Sequence, residues 1–204
     1  MSPRRANPVL AERRREALAK AGYAQILEKG IQATTIDSVV ARAGVSKGGA
    51  LYYYRTREDL LYGVLEWLLS HLDRTLDRLA AGQHSPRARL GSELEVLFHS
   101  AEFNRKLYTV LFDFAAYGLR SEKFRSRLAS FFERCRKRDA GIIEEGIRRQ
   151  QFREVNADDA ARTLRALVDG YCLHWLIAEP GAGLERYRER CGAVLGAYLL
   201  RQPS

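Results

Sequence analysis

Two short apolar runs parted by a glycine turn, in TTIDSVVARAGVSKGGALYYYRTREDLL (residues 34–61), constrain this chain more tightly than any other stretch. Ile36, Val39, Val40 and Ala43 recur at i, i+3, i+4 and i+7, the single stripe of a short amphipathic helix. Either Thr34 or Thr35 can cap its exposed N–H groups, and Asp37 places a negative charge in its first turn. Gly44 can take the left-handed conformation that stops it, and Ser46 then caps a further helix after a very short turn. Two short helices joined in this way form a helix-turn-helix, whose second helix lays its N-terminal residues in the DNA major groove.

Gly48 and Gly49 fall in the first turn of that second helix, where two missing side chains would weaken a free helix but let backbone approach a phosphate or base edge. Leu51 and Tyr54, three apart, are expected to continue the inward face, and Tyr52 and Tyr53 to point away from it. Beside Lys47, Arg55 and Arg57, two outward tyrosines would make a rim whose hydroxyls reach phosphate oxygens and whose rings pack on sugar or thymine methyl. The competing reading packs all three tyrosines in the core; it is kept for Tyr54 alone.

Charge agrees with a polyanionic partner. Residues 1–57 hold 11 Lys and Arg against 4 Asp and Glu, whereas residues 58–204 hold 23 against 21, so most of the net +9 is local to the first quarter. Such a one-signed field suits nucleic acid or an anionic surface. Upstream of the motif, Asn7 before Pro8 reads as a helix start, Ala19, Tyr23, Ile26 and Leu27 recur at helical spacing, and Gly30 ends the run. Gly22 inside this helix conflicts with it at about 1 kcal/mol relative to alanine unless close packing compensates.

Residues 12–65 resemble the DNA-binding segment of TetR-family transcriptional regulators, specifically members whose third helix reads GVSKGG, two apolar residues, an aromatic cluster and a basic residue. The resemblance implies an N-terminal three-helix DNA-binding domain over residues 1–56 and a helical regulatory and dimerisation domain over 57–204. It places Thr35, Ser46, Lys47, Gly48, Gly49, Tyr52, Tyr53 and Arg57 at DNA-contacting positions, with Arg57 where the family usually has a phosphate-binding lysine. Two departures stand out. Tyr54 replaces a frequent Phe, and Asp37 would repel phosphate if it faced the DNA backbone.

Thr56, with Asp59 three residues on, approximates a capping box for a long fourth helix striped by Leu61, Val64, Leu65, Leu68, Leu72, Leu76 and Leu79. Further helices are expected at about 86–102, 104–119, 121–150, 157–178 and 183–200, with no strand pattern and no repeat, so the fold class is all-α. The last two helices carry stripes too apolar for a monomer's surface: Leu164, Leu167, Val168, Tyr171 and Trp175, then Leu184, Tyr187, Cys191, Val194, Leu195 and Tyr198. They are expected to pair with a second copy, as the equivalent helices do in the family, which would set two third helices about one DNA turn, roughly 34 Å, apart. The aromatic-rich middle is expected to be mostly core, with Tyr108, Phe112, Asp113, Tyr117 and His174 as candidates to line the small-molecule site that the resemblance implies.

An enzyme is not expected. GxSxG, HExxH, P-loop and Rossmann patterns are missing, "VSKGGA" lacks the phosphate-loop frame, and His71, His84, His99 and His174 have no metal-ligand spacing. No catalytic residue, metal or cofactor is therefore assigned. Cys135, Cys172 and Cys191, odd in number and without a CxxC pair, fit a reducing compartment; the alternative of a thiol-based sensor rests on Cys172 and Cys191 lying on the two pairing helices. With no apolar run long enough for a bilayer and a charged start in place of a signal peptide, the expectation is a cytoplasmic protein whose partners are double-stranded operator DNA, a second copy and a small effector.

Overall fold

The computed structural model describes residues 8–82, 85–179 and 181–200, and among them every regular element is helical. The order is α1 (Pro8–Ala33), α2 (Ile36–Ala43), α3 (Lys47–Tyr53), α4 (Arg57–Gly82), α5 (Pro86–Leu97), α6 (Ala101–Gly118), α7 (Glu122–Arg148), α8 (Ala157–Ala178) and α9 (Glu185–Leu199). Among the described residues no helix is long and apolar enough to cross a membrane. The expected cap Asn7 lies outside the described residues.

Local chemistry sets the first boundaries. Gly30 breaks α1 with φ 78° and ψ 162°, a backbone state that a side chain rarely adopts. Thr35, not Thr34, caps α2 in a reciprocal box with Ser38, while the Thr34 hydroxyl donates back to the Gly30 carbonyl. Gly44 closes α2 at φ 64°, and Ser46 caps α3 by accepting from the Gly49 N–H at 3.1 Å. The Thr56 and Asp59 box opens α4 as the spacing predicts.

Leu18, Ala21, Val39, Ala50 and Leu60 form a small core for α1 to α3 and the start of α4. Gly22 has a packing reason: a Cβ there would lie 2.5 Å from a Val64 methyl, so the glycine lets α1 and α4 close on one another. Gly63 does the same for the Tyr54 ring. Tyr54 is thus inward, but Leu51 is not; it is 37 % exposed, and Ala50 supplies the inward contact instead. Neighbours on a helix point about 100° apart, so with Ala50 turned to the core Leu51 turns toward solvent.

A second, larger core joins α4 to α9 and takes in Ile26 and Ile31 from the end of α1. Burial of each large side chain in it, Phe114, Phe124 and Trp175 among them, stabilises the fold by roughly 2–3 kcal/mol. Helix α6 begins at Ala101, not 104, because Ser100 accepts from the Phe103 N–H and caps it.

The expected pairing stripes are mostly spent inside the chain. Leu164, Val168, Trp175, Leu184, Tyr187, Cys191 and Leu195 are buried, Leu167, Tyr171 and Tyr198 half-buried against the same core, and only Val194 is exposed. Trp175 also donates from Nε1 to the Ala182 carbonyl at 2.8 Å, which fixes the turn between α8 and α9. The physical reason is that α8 is apolar on two faces: its large residues fill the subunit core, and a second line, Ala166, Gly170, Leu173 and Ile177, stays outward. Ala193, Val194 and Ala197 continue that outward surface on α9.

Candidate nucleic-acid interface and effector cavity

Helix α3 presents Lys47, Gly48, Leu51 and Tyr52 to solvent, with Tyr52 73 % exposed. The two glycines differ in their reasons. A Cβ on Gly49 would sit 3.0 Å from the Ser46 hydroxyl and crowd the cap, so that glycine serves the helix itself. A Cβ on Gly48 would meet nothing within 4 Å, so nothing inside the chain requires glycine there. Tyr53 is half-buried: its ring meets Tyr52 edge-on at 5.1 Å, and the Arg15 guanidinium lies 5.6 Å above it.

Lys47 is paired with Asp37 at 2.8 Å. Both side chains are exposed, and such a pair contributes little to stability, so the ammonium can exchange its partner. Asp37 therefore sits beside a cation on this surface, which removes the bare repulsion expected from the sequence. Thr35 is exposed but its hydroxyl accepts from the Ser38 N–H. Arg57 differs from expectation. Its guanidinium donates to the carbonyls of Thr34, Ile31 and Gln32 and so clamps the carbonyl end of α1, because those carbonyls lack helical partners beyond the Gly30 break. Besides Lys47, exposed cations near α3 include Arg14, which lines a cleft with Ser46, Gly49 and Tyr53, Arg15 above the Tyr53 ring, and Arg55. The basic run Arg13, Arg14, Arg15 was the sequence signal for the first of these.

The second feature is an apolar cavity of about 240 Å³ walled by α4, α5, α6, α7 and α8. Its lining includes Leu72, Leu76, Val96, Leu107, Tyr108, Leu111, Phe131 and Phe132, with His71, His99, Arg165 and Asp169 as polar groups. Of the expected liners only Tyr108 is there. Phe112 packs beside the Tyr108 ring, Tyr117 meets Phe124 edge-on at 4.8 Å, and His174 faces solvent on α8. Asp113 accepts the Ile31 N–H at 3.0 Å, which ties α6 to α1 just beyond the Gly30 break.

Behind the cavity wall lies a buried charge cluster that helical periodicity alone did not single out. Arg165 is paired with Glu93 at 2.8 Å and with Asp139 at 2.8 Å, joining α8 to α5 and α7. Burial pushes the Asp139 carboxyl up to about 8, against the opposing pull of Arg165, so near neutral pH it holds its proton much of the time. Burial raises Asp169 to about 6, again opposed by Arg165. The signal was available: Arg165 and Asp139 stand at core positions of stripes marked by Ala161, Val168 and Cys172 on α8, and by Phe131, Cys135 and Ile142 on α7.

Cysteine chemistry finds no support in this arrangement. Cys135, Cys172 and Cys191 are free and buried, and desolvation raises the Cys172 thiol to about 12 and the other two to about 11. A thiol so placed supplies almost no thiolate, which is the reactive form.

Two family models match the chain: one described as bacterial regulatory proteins, tetR family, over residues 18–63, and one described as BetI-type transcriptional repressor, C-terminal, over residues 86–200. Among curated proteins, the HTH-type transcriptional regulator PksA of Bacillus subtilis is 25% identical over 167 residues, covering 81% of this chain and 80% of that protein. The HTH-type transcriptional regulator BetI of Pectobacterium carotovorum is 28% identical over 173 residues, covering 78% and 80%. Among solved structures, a TetR transcription regulator from Haloarcula marismortui superposes with a TM-score of 0.84 at 25% identity, over 93% of this chain and 100% of that one. A putative regulator from Saccharomonospora viridis, solved in complex with choline, shares the fold at a TM-score of 0.83 and 21% identity, over 94% and 99%.

Proposed function

The chain belongs to the TetR family of bacterial transcriptional regulators, and from that premise we propose that two copies pair through α8 and α9, seat both α3 helices on operator DNA and let go when a small molecule fills the cavity. As a member it is a DNA-binding regulator of the ligand-responsive repressor type and not an enzyme. The division of labour falls near residue 56, with recognition before it and ligand response and pairing after it. The GVSKGG segment is the recognition helix of this reading.

One observation carries the DNA assignment: Gly48 has open space where a side chain would be, beside an outward Tyr52 and an exchangeable Lys47. Backbone at Gly48 can then approach a phosphate while Tyr52 donates from its hydroxyl and Lys47 supplies charge. Ser46, Gly49 and Thr35 support this surface as caps or cap-spacers, and Tyr53 as the ring that braces Tyr52. Arg14 and Arg55 take the phosphate-neutralising role that Arg57 cannot, being occupied with the end of α1. The pairing surface is the outward line of Ala166, Gly170, Leu173 and Ile177 with Val194, whose small residues let helices from two subunits come close. A ligand that fits the cavity better in the DNA-free arrangement would shift the population toward it.

The test is a gel shift on DNA fragments selected by the purified protein. Lys47→Ala combined with Tyr52→Ala should weaken binding and flatten its salt dependence by about one unit of slope for each phosphate that is no longer neutralised. Ile177→Glu should abolish the two-chain complex. Equal binding by wild type and the double variant would remove α3 from the interface.

A further inference from the structure

We propose that α7 holds α4 by a ladder of ion pairs ending in a two-position latch, in which the Arg138 guanidinium exchanges between Asp77 and Asp73 and so sets how α4 lies along α7.

The ladder shows as a constant offset. Arg127 pairs with Glu66, Arg134 with Asp73 at 2.6 Å and Arg138 with Asp77 at 2.7 Å, each arginine 61 positions after its carboxylate. A constant offset means that the two helices run parallel, and steps of seven and four residues keep all three rungs on one face of each. Lys123 and Asp59 add a looser rung at 3.4 Å in the first turn of α4, where Asp59 also accepts the Thr56 N–H. Neighbouring charges have other partners. Asp139 and Glu93 face Arg165, Glu133 and Asp158 hold Arg136, Arg78 donates to the Arg74 carbonyl, and the His71 ring stacks on Trp67.

The last rung is unevenly matched. The Arg138 side chain is only 12% exposed, yet Nε at 3.0 Å and Nη2 at 2.7 Å both donate to Asp77, whose side chain is 67% exposed. Asp73, 16% exposed, lies 3.5 Å from the same Nη2 through Oδ1, and that oxygen is buried with no hydrogen-bond partner in the chain, as is Arg138 Nη1. A charge-assisted bond spans about 2.8 Å, so a shift of about 0.7 Å would complete the inner pair in place of the outer one. The buried partner attracts more strongly and the exposed one costs less to desolvate, and these opposed effects let a small force choose between the stops.

The helix so positioned spans both halves of the chain. Leu60 of α4 sits in the core of the first three helices, while Leu72 and Leu76, one residue before Asp73 and Asp77, wall the cavity.

Urea unfolding of the full chain tests the exchange without DNA. In a double-mutant cycle, the coupling of Arg138→Gln with Asp73→Asn should be under about threefold in the unfolding constant while Asp77 is present, and about tenfold or more once Asp77→Asn removes the competing stop. The same factor in both backgrounds would overturn the latch, because the carboxylates would then not compete. Operator affinity by fluorescence anisotropy tests the consequence, and this arm alone rests on the DNA-binding reading above. Asp73→Asn, which leaves the outer stop, and Asp77→Asn, which leaves the inner one, should shift affinity in opposite directions by about threefold or more. Arg134→Gln, which removes the other rung on Asp73, should not reproduce the Asp73→Asn shift. Shifts of one sign, no shift, or equal shifts in Arg134→Gln and Asp73→Asn would overturn the control of α4. Absence of operator binding by wild type would remove the DNA reading and leave the urea result standing.

Discussion

Asp113→Ala should disconnect the cavity from the DNA-binding helices without emptying either. The carboxylate accepts the Ile31 N–H at 3.0 Å from a half-buried position, and Ile31 is itself buried. A hydrogen bond to a charged group contributes about 1.5–3 kcal/mol net, and the partial exposure of Asp113 puts this one at about 1–2 kcal/mol. Helix α6 also supplies Leu107, Tyr108 and Leu111 to the cavity wall, so the helix that lines the cavity holds α1 two residues past Leu111. Coupling between two sites is typically about 1–3 kcal/mol, so removing a link of this size should abolish most of it. The assay is operator binding by fluorescence anisotropy with and without a saturating cavity ligand, alongside a thermal melt. Expected are a melting point lower by a few degrees, near-normal DNA affinity without ligand, and a ligand effect reduced by roughly fivefold or more. Asp113→Asn, which keeps a neutral acceptor, should fall between. If the melting point drops but the ligand still releases DNA as in wild type, the connection runs through α4 and this reasoning is wrong.

Two further outcomes follow from packing and burial. Gly22→Ala should lower the melting temperature although alanine is the better helix former by about 1 kcal/mol, because its methyl would need the space 2.5 Å from stiff Val64, an overpacking cost of about 1–3 kcal/mol; a stabilised variant would mean that α1 and α4 yield freely. Asp139, raised to about 8 from an ordinary value of 3.8, binds its proton more tightly folded than unfolded, so its contribution falls as pH rises from about 4 to about 8 and is flat above. Asp139→Asn should therefore lose less stability than wild type between pH 5 and pH 8 in urea titrations, and parallel curves for the two would refute the buried ionisation.

What the sequence disclosed was whatever neighbours within a helical turn decide. Thr35 with Ser38, Ser46 with Gly49 and Thr56 with Asp59 are all i, i+3 relations, and these caps form at or within a residue of where the spacing puts them. The Gly44 turn is equally local. The choice between faces is not. Periodicity marks α8 as apolar on Leu164, Val168 and Trp175, yet it marks Ala166, Leu173 and Ile177 as well, and only the volume available in the subunit decides that the larger line goes inside. Arg57 reads as a free cation until the Gly30 break, 27 positions earlier, exposes carbonyls for it to cap. Asp113 and Ile31 are 82 residues apart, so no local pattern could join them.

The electrostatics of the two halves explain why that last contact matters. The first 57 residues carry a net +7 of the chain's +9, while the cavity wall carries Arg165 and Asp169 on an otherwise mostly apolar lining. A route of packed helices runs from the cavity wall to α3. Helix α6 packs on α8, which holds Asp169, and on α1, against which α2 lies and through it α3. The same helix meets α1 at Gly30 and Ile31, where φ of 78° has already broken the rod and where Arg57 and Asp113 hold opposite polar groups of the same short segment. A break held by two side chains from different helices is the place where a displacement of α6 would change the angle at which α1 carries α2 and α3, and the Asp113→Ala measurement above tests that expectation.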